Sequence, residues 1–138
     1  MTFASGTALA APPLIFRDHV KGPREQEALN MLEKTAGFLP DLPYSVAATD
    51  LNGDGVDEWI FRQDRESGCE ARANCSFRVL ALSEGKPISL GTISARKISL
   101  SDEKSYGVRK FFAYNDKNDD FEYSRYVWDP TTGIYLLQ

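Results

Sequence analysis

The residues best suited to chemistry in this chain are the oxygen-bearing ones of Asp50-Leu51-Asn52-Gly53-Asp54-Gly55-Val56-Asp57-Glu58. Counting Asp50 as position one, side-chain oxygens fall at positions one, three, five and nine (Asp50, Asn52, Asp54, Glu58). Gly55 stands at six and the carbonyl of Val56 at seven. Calcium takes about six to eight oxygens at roughly 2.3–2.6 Å, and alternate residues of a tight loop converge on one point only where glycine permits the bend. The spacing therefore predicts a calcium site with Asp50, Asn52, Asp54, Val56 and Glu58 as ligands, structural in role. The competing reading makes Asn52-Gly53 and Asp54-Gly55 plain turn dipeptides of an acidic hairpin. Metal is favoured because turn chemistry alone does not call for Asp50 and Glu58 at those positions.

Other reactive groups are sparse. Cys69 and Cys75 bracket a polar, glycine-containing stretch and are expected to close a small disulfide ring, worth roughly 2 kcal/mol by loop-closure entropy. The alternatives are two unrelated thiols, or a zinc site, for which two cysteines and the single His19 supply too few ligands. His19 follows Asp18, but no nucleophile motif accompanies it, and it reads as a surface histidine. Phosphate-cradling glycine loops, Cys-x-x-Cys pairs and zinc-protease helices are absent from the sequence. The chain is thus expected to bind and not to catalyse.

Composition agrees with a soluble globule: 138 residues, 42% apolar and 26% charged, enough for one domain with its own core. The net charge of −4 argues against a nucleic-acid backbone or an anionic membrane as main partner and tolerates a basic protein. Residues 1–13 read as a signal-peptide remnant, with Ala8 and Ala10 in an A-x-A arrangement, or as a flexible arm; the first reading predicts a periplasmic or secreted protein. No stretch approaches the ~20 apolar residues of a membrane span.

These groups must be positioned by residues 14–138, read as one α+β domain. Leu14 to Phe16 is a short apolar strand or anchor. From Arg24 to Ala36, Ala28, Leu29, Leu32 and Ala36 recur at helical spacing, with Pro23 in the first turn and Gly37 as the C-terminal cap. Beyond Pro43 the period becomes that of strands: Tyr44 to Thr49, Trp59 to Phe61, Ser76 to Leu82, Ile88 to Ile93, a short Arg96 to Leu100, Val108 to Tyr114, Phe121 to Trp128 and Ile134 to Leu137. The polar run Ser101 to Ser105 reads as a loop. In Phe121 to Trp128, Phe121, Tyr123 and Val127 form a mainly apolar face and Glu122, Ser124, Tyr126 and Trp128 a mixed one. The expected architecture is one N-terminal helix packed on an antiparallel, meander-like sheet of about six to eight strands.

The acidic loop resembles the calcium loops of FG-GAP repeats in integrin-type propellers more than an EF-hand, which places a glutamate at position twelve, here Phe61, and flanks the loop with helices. That likeness covers about a dozen residues and carries no propeller fold with it, the chain being short and without repeats. More broadly, the signal-like start, the helix, the hairpin TDLNGDGVDEWIF and the cysteine pair ahead of FRVLAL resemble small exported proteins of Gram-negative bacteria. Among these are periplasmic immunity proteins paired with type VI secretion effectors. The resemblance rests on residues 48 to 82. It implies a non-enzymatic inhibitor that blocks the active site of a cell-wall-targeting toxin, a peptidoglycan hydrolase or transpeptidase. Its partner-binding candidates would be Asp116, Asp119 and Asp120 of an acidic hairpin tip and the aromatics Tyr106, Tyr123, Tyr126 and Trp128, at least half of which are expected to fill the core instead. The alternative is a calcium-stabilised accessory domain of the envelope that binds a sugar or peptide ligand.

Overall fold

The computed structural model describes residues 13–35, 38–39, 42–63, 74–115 and 123–138. Its elements are α1 (Gly22–Glu33), β1 (Tyr44–Thr49), β2 (Glu58–Gln63), β3 (Cys75–Ser83), β4 (Lys86–Ala95), β5 (Lys97–Ser105), β6 (Val108–Tyr114), β7 (Ser124–Asp129) and β8 (Ile134–Leu137).

Helix α1 carries Pro23 in its first turn, as its fixed φ and missing N–H favour. The N-cap, Lys21, has no capping side chain, and Glu25 takes over that task. One of its oxygens accepts the Lys21 N–H at 2.8 Å and the other meets the Arg17 guanidinium at 2.8 Å. Burial opposes the charge on Glu25, but Arg17, the Lys21 N–H and Trp59 outweigh it and hold the carboxyl below its ordinary range. The helix stops at Glu33, short of the expected Ala36, because the Lys34 and Thr35 N–H groups bond the Met31 and Leu32 carbonyls and tighten the last turn. The expected cap, Gly37, lies outside the described residues.

The single meander sheet is corrected to two four-stranded sheets, β1-β2-β3-β4 and β5-β6-β7-β8, antiparallel throughout. The break falls at Arg96, where one residue separates β4 from β5 and donates its N–H to the Tyr114 carbonyl. Instead of pairing with β5, β4 packs against β8. At Gly91 an added Cβ would stand 3.2 Å from the Tyr135 nitrogen and 3.3 Å from the Ile134 Cβ. Alternation along β2 explains why a second layer is needed: Trp59 and Phe61 face α1, while Ile60 faces the other way. Ile60, Phe77, Val79 and Ile93 of the first sheet then bury against Phe111, Ala113 and Tyr135 of the second. The result is three layers, helix on sheet on sheet. Leu14 and Phe16 pack on the inter-sheet core, and Arg17 makes only an isolated bridge to Val46.

One further expectation is corrected. The polar run Ser101 to Ser105 is the outer half of β5, paired with β6 through Lys104↔Arg109 and Ser105↔Val108 beyond a register shift. An arm that projects past the core is held by backbone hydrogen bonds, so it needs no apolar alternation. In β7 the mixed face meets the core: Tyr126 and Trp128 pack inward, while Tyr123 stacks on the outer face against Phe112, ring centroids 4.6 Å apart.

Candidate functional site

The loop from Asp50 to Asp57 joins β1 to β2 above the closing pair Thr49↔Glu58. It is shaped by its own oxygens. The two Asp50 oxygens accept the N–H groups of Gly53 at 2.9 Å and Gly55 at 2.8 Å, and Asp54 accepts that of Val56 at 2.9 Å. Gly53 and Gly55, at φ 78° and 85°, supply the left-handed turns that bring these groups round. Leu51, the apolar residue inside the polar loop, anchors it: its side chain is in the inter-sheet core and its carbonyl accepts the Arg109 N–H of β6 at 2.8 Å.

Glu58 sits where β2 begins and shares the parity of Ile60, so it faces the second sheet. It is only 6% exposed, and one oxygen accepts the Leu51 N–H at 2.7 Å. Burial pushes its carboxyl up to about 7 against the pull of that hydrogen bond, and the charges of Asp54, Asp50 and Asp57 add to the rise. For Asp50, burial works in the same upward sense, but the N–H groups of Gly55, Gly53, Asn52 and Asp54 prevail and hold it below its usual range. Carboxylate oxygens of Asp50, Asp54 and Glu58 all lie within 4.8 Å of one another. That donor set fits a hard cation: each oxygen that accepts one N–H keeps a further lone pair, and a dication would relieve the repulsion that lifts Glu58. Lys104 leans over the loop, its Nζ 3.9 Å from where a Cβ on Gly53 would stand, yet forms no ion pair with these carboxylates.

Beside the loop, at the end of the inter-sheet space, is a cavity of about 280 Å³. Asn52, Asp54 and Glu58 form its polar end. Leu90, Val108 and Trp128 form apolar wall, with Val56 at the mouth. Leu90 arrives there through a bulge: Val79 pairs with Gly91 and Leu80 with Ser89, which leaves Leu90 as the extra residue. Trp128 is held edge-on by Tyr135 at 5.8 Å, and the Tyr135 hydroxyl donates to the Arg109 carbonyl at 2.7 Å. Burial, with the Glu58 charge second, raises the Tyr135 phenol and keeps it a donor.

The structure thus brings four of the predicted metal ligands, Asn52, Asp54, Val56 and Glu58, to one cavity with Trp128, and groups Asp50 with the carboxylates. Sequence reasoning missed Leu90 and Val108. Of the other partner candidates, Tyr126 is half-buried, whereas Tyr106 is 79% and Tyr123 43% exposed. Asp116, Asp119 and Asp120 lie outside the described residues. Cys75 is buried and is not a free thiol; Cys69 lies outside the described residues. His19 is exposed, and its ring meets the Asp18 carboxylate at 2.7 Å. No family model, no curated protein and no solved structure matches this chain.

Proposed function

We propose that this is a non-enzymatic binding protein of the bacterial envelope, periplasmic or secreted, in which Asp50, Asn52, Asp54, Val56 and Glu58 hold calcium as a structural clip between β1 and β2. The observation that carries this reading is the convergence of three carboxylates within 4.8 Å on a loop already bent by Gly53 and Gly55. No helix among the described residues is long and apolar enough to cross a membrane. Calcium at the roughly millimolar level typical of weak extracellular modules would fill such a loop and tie it to the sheet. The test is thermal unfolding in calcium and in EDTA. The parent should gain several degrees in calcium, as mass action requires of a ligand that binds only the folded state. Asp50→Ala with Asp54→Ala should abolish the gain. The double variant also loses three turn hydrogen bonds, but that loss appears in both buffers, so only the calcium-dependent part reports the ion. A parent indifferent to calcium would reduce the loop to a turn.

A second reading, the toxin-blocking immunity protein, draws support from Tyr106. It occupies the tip of the β5–β6 hairpin with Gly107, both at positive φ, 52° and 79°, in the geometry of a two-residue type I′ turn. A tyrosine there costs roughly 1–2 kcal/mol by crowding its own carbonyl, and an exposed ring recovers none of it by core burial. A ring kept at that position suits insertion into a partner's cleft. In this role the described interface would run from Tyr106 along the hairpin, whose Lys104 and Arg109 border the acidic loop. Tyr106→Asn, which suits the turn, should raise stability by about 1 kcal/mol. It should also stop the chain from retaining a cell-wall hydrolase or transpeptidase in capture from an envelope extract. Equal retention by parent and variant, or no such enzyme with either, removes this reading.

A further inference from the structure

We infer that the outer face of the second sheet docks an acidic peptide segment of a protein partner, one of its carboxylates going to Arg125 and Lys110 and its apolar residues to Tyr123, Val127 and Leu136. Alternation sets this face. Phe111 and Ala113 of β6 and Tyr126 and Trp128 of β7 point into the inter-sheet core, so Phe112, Tyr123, Arg125 and Val127 point the other way. Phe112 pairs with Arg125 across the strands, and Val127 pairs with Leu136 of β8. Helix α1 lies on the first sheet, so among the described residues no helix covers this face. Tyr123 and Leu136 are left 43% and 42% exposed.

The decisive groups are two cations. The Arg125 guanidinium lies over the rings of Phe112 and Tyr123, 5.7 and 5.3 Å from their centroids, and the two rings pack 4.6 Å apart. Stacking fixes the guanidinium plane but uses none of its N–H donors. Among the described residues no side-chain hydrogen bond engages Arg125 or Lys110. Their shared ionic contact is Glu103, at 3.8 and 4.0 Å, beyond hydrogen-bond reach. Two cations and one carboxylate leave this cluster positive, on a chain whose net charge is −4.

That balance selects the occupant. A carboxylate carries the single charge that the cluster lacks and matches the planar guanidinium fork. A phosphate dianion or a nucleic-acid backbone brings more charge than the cluster compensates, against the repulsion of Glu103. Tyr123 and Val127 lie two residues to either side of Arg125, so an extended segment with an acidic residue two places from an apolar one on each side matches the face in period. Tyrosine and arginine are also the residue types that dominate binding energy at interfaces. Neither the calcium loop nor Tyr106 contributes to this face, so the inference stands apart from both readings above.

The test titrates the full chain with the capped peptide acetyl-Leu-Ser-Glu-Ser-Leu-amide, its glutamine counterpart, inorganic phosphate and oligothymidylate, read by calorimetry and by the Nε–H resonance of Arg125. The glutamate peptide should bind saturably and shift that resonance, with the glutamine peptide about tenfold weaker, the difference being the charge-assisted contact. Arg125→Gln should weaken the glutamate peptide about tenfold and leave the glutamine peptide unchanged. Glu103→Gln, at an exposed side chain, should tighten the glutamate peptide several-fold, because the competing carboxylate is gone. A change of that sign separates a docking contact from a general loss of structure. Equal binding of the two peptides, no saturable binding of the glutamate peptide, tighter binding of phosphate or oligothymidylate, or an affinity indifferent to both substitutions would overturn the proposal.

Discussion

In EDTA at pH 8, Glu58→Gln is expected to make the protein more stable, by up to about 3 kcal/mol. The sign follows from linkage. The folded-state carboxyl is raised from 4.5 to about 7, so the folded protein holds a proton that the unfolded chain releases. The contribution is fully present below the unfolded value of 4.5, is lost as pH rises through about 7, and is absent above it. At roughly 1.4 kcal/mol per unit, that interval sets the upper limit. Glutamine keeps the shape and can still accept the Leu51 N–H but never carries the charge. The variant should therefore match the parent near pH 4.5, gain on it up to pH 8, and show a flatter stability profile between. Saturating calcium should reverse the ranking, because the parent then keeps a ligand that the variant lacks. Urea unfolding at several pH values with and without calcium measures all of this. A parent whose stability does not fall between pH 5 and pH 8 in EDTA would show that Glu58 is not the desolvated group described above.

The second large effect concerns the contact between the two sheets. Gly91→Ala should destabilise the protein by about 2–5 kcal/mol. Two costs combine there. At φ 115° the residue lies where an L side chain is strained, and the new Cβ would press on the nitrogen and carbonyl of Tyr135, at 3.2 and 3.3 Å, backbone atoms that have no alternative rotamer. Gly85→Ala isolates the first cost, because Gly85 also has positive φ, 79°, but nothing within 4 Å of an added Cβ. It should lose only about 1 kcal/mol. If the two variants unfold at the same denaturant concentration, the close approach of β4 to β8 contributes nothing. Because Gly91 follows the bulge residue Leu90 and touches the backbone that carries Tyr135, its alanine variant should also disturb the cavity wall, visible as a shift of the Trp128 indole resonance.

Much of the frame is legible in the sequence. Pro23 and the spacing of Ala28, Leu29 and Leu32 mark α1, and each of the eight strands overlaps one of the eight runs read as strands. One segment went astray for an identifiable reason. Beyond the buried Ser101 the outer half of β5 is mostly exposed and is held by pairing with β6 and by the contacts of Glu103 with Lys110 and Arg125, which leave no apolar pattern to read. In Phe121 to Trp128 the alternation separates a mainly apolar face, with Tyr123 and Val127, from a mixed one, and does not state which is covered. Trp128 turns inward, where it meets edge-on the ring of Tyr135, its cross-strand partner in the β7–β8 hairpin.

By itself the sequence determined the loop: which oxygens it carries, their alternate spacing, and the glycines at Gly53 and Gly55 that let them converge. These are local properties, set by chemistry within nine residues. Only the tertiary structure decided what that loop means electrostatically. Glu58 is an ordinary carboxyl until the second sheet closes over it, and Leu90, Val108 and Trp128, from three different strands, become one wall only because the chain breaks at Arg96 and folds β5 to β8 back across β1 to β4. Period-two alternation states that a side chain points to one face of a sheet. It does not state what lies across that face, because the covering residues are distant in sequence and their approach is set by packing, down to the missing Cβ of Gly91.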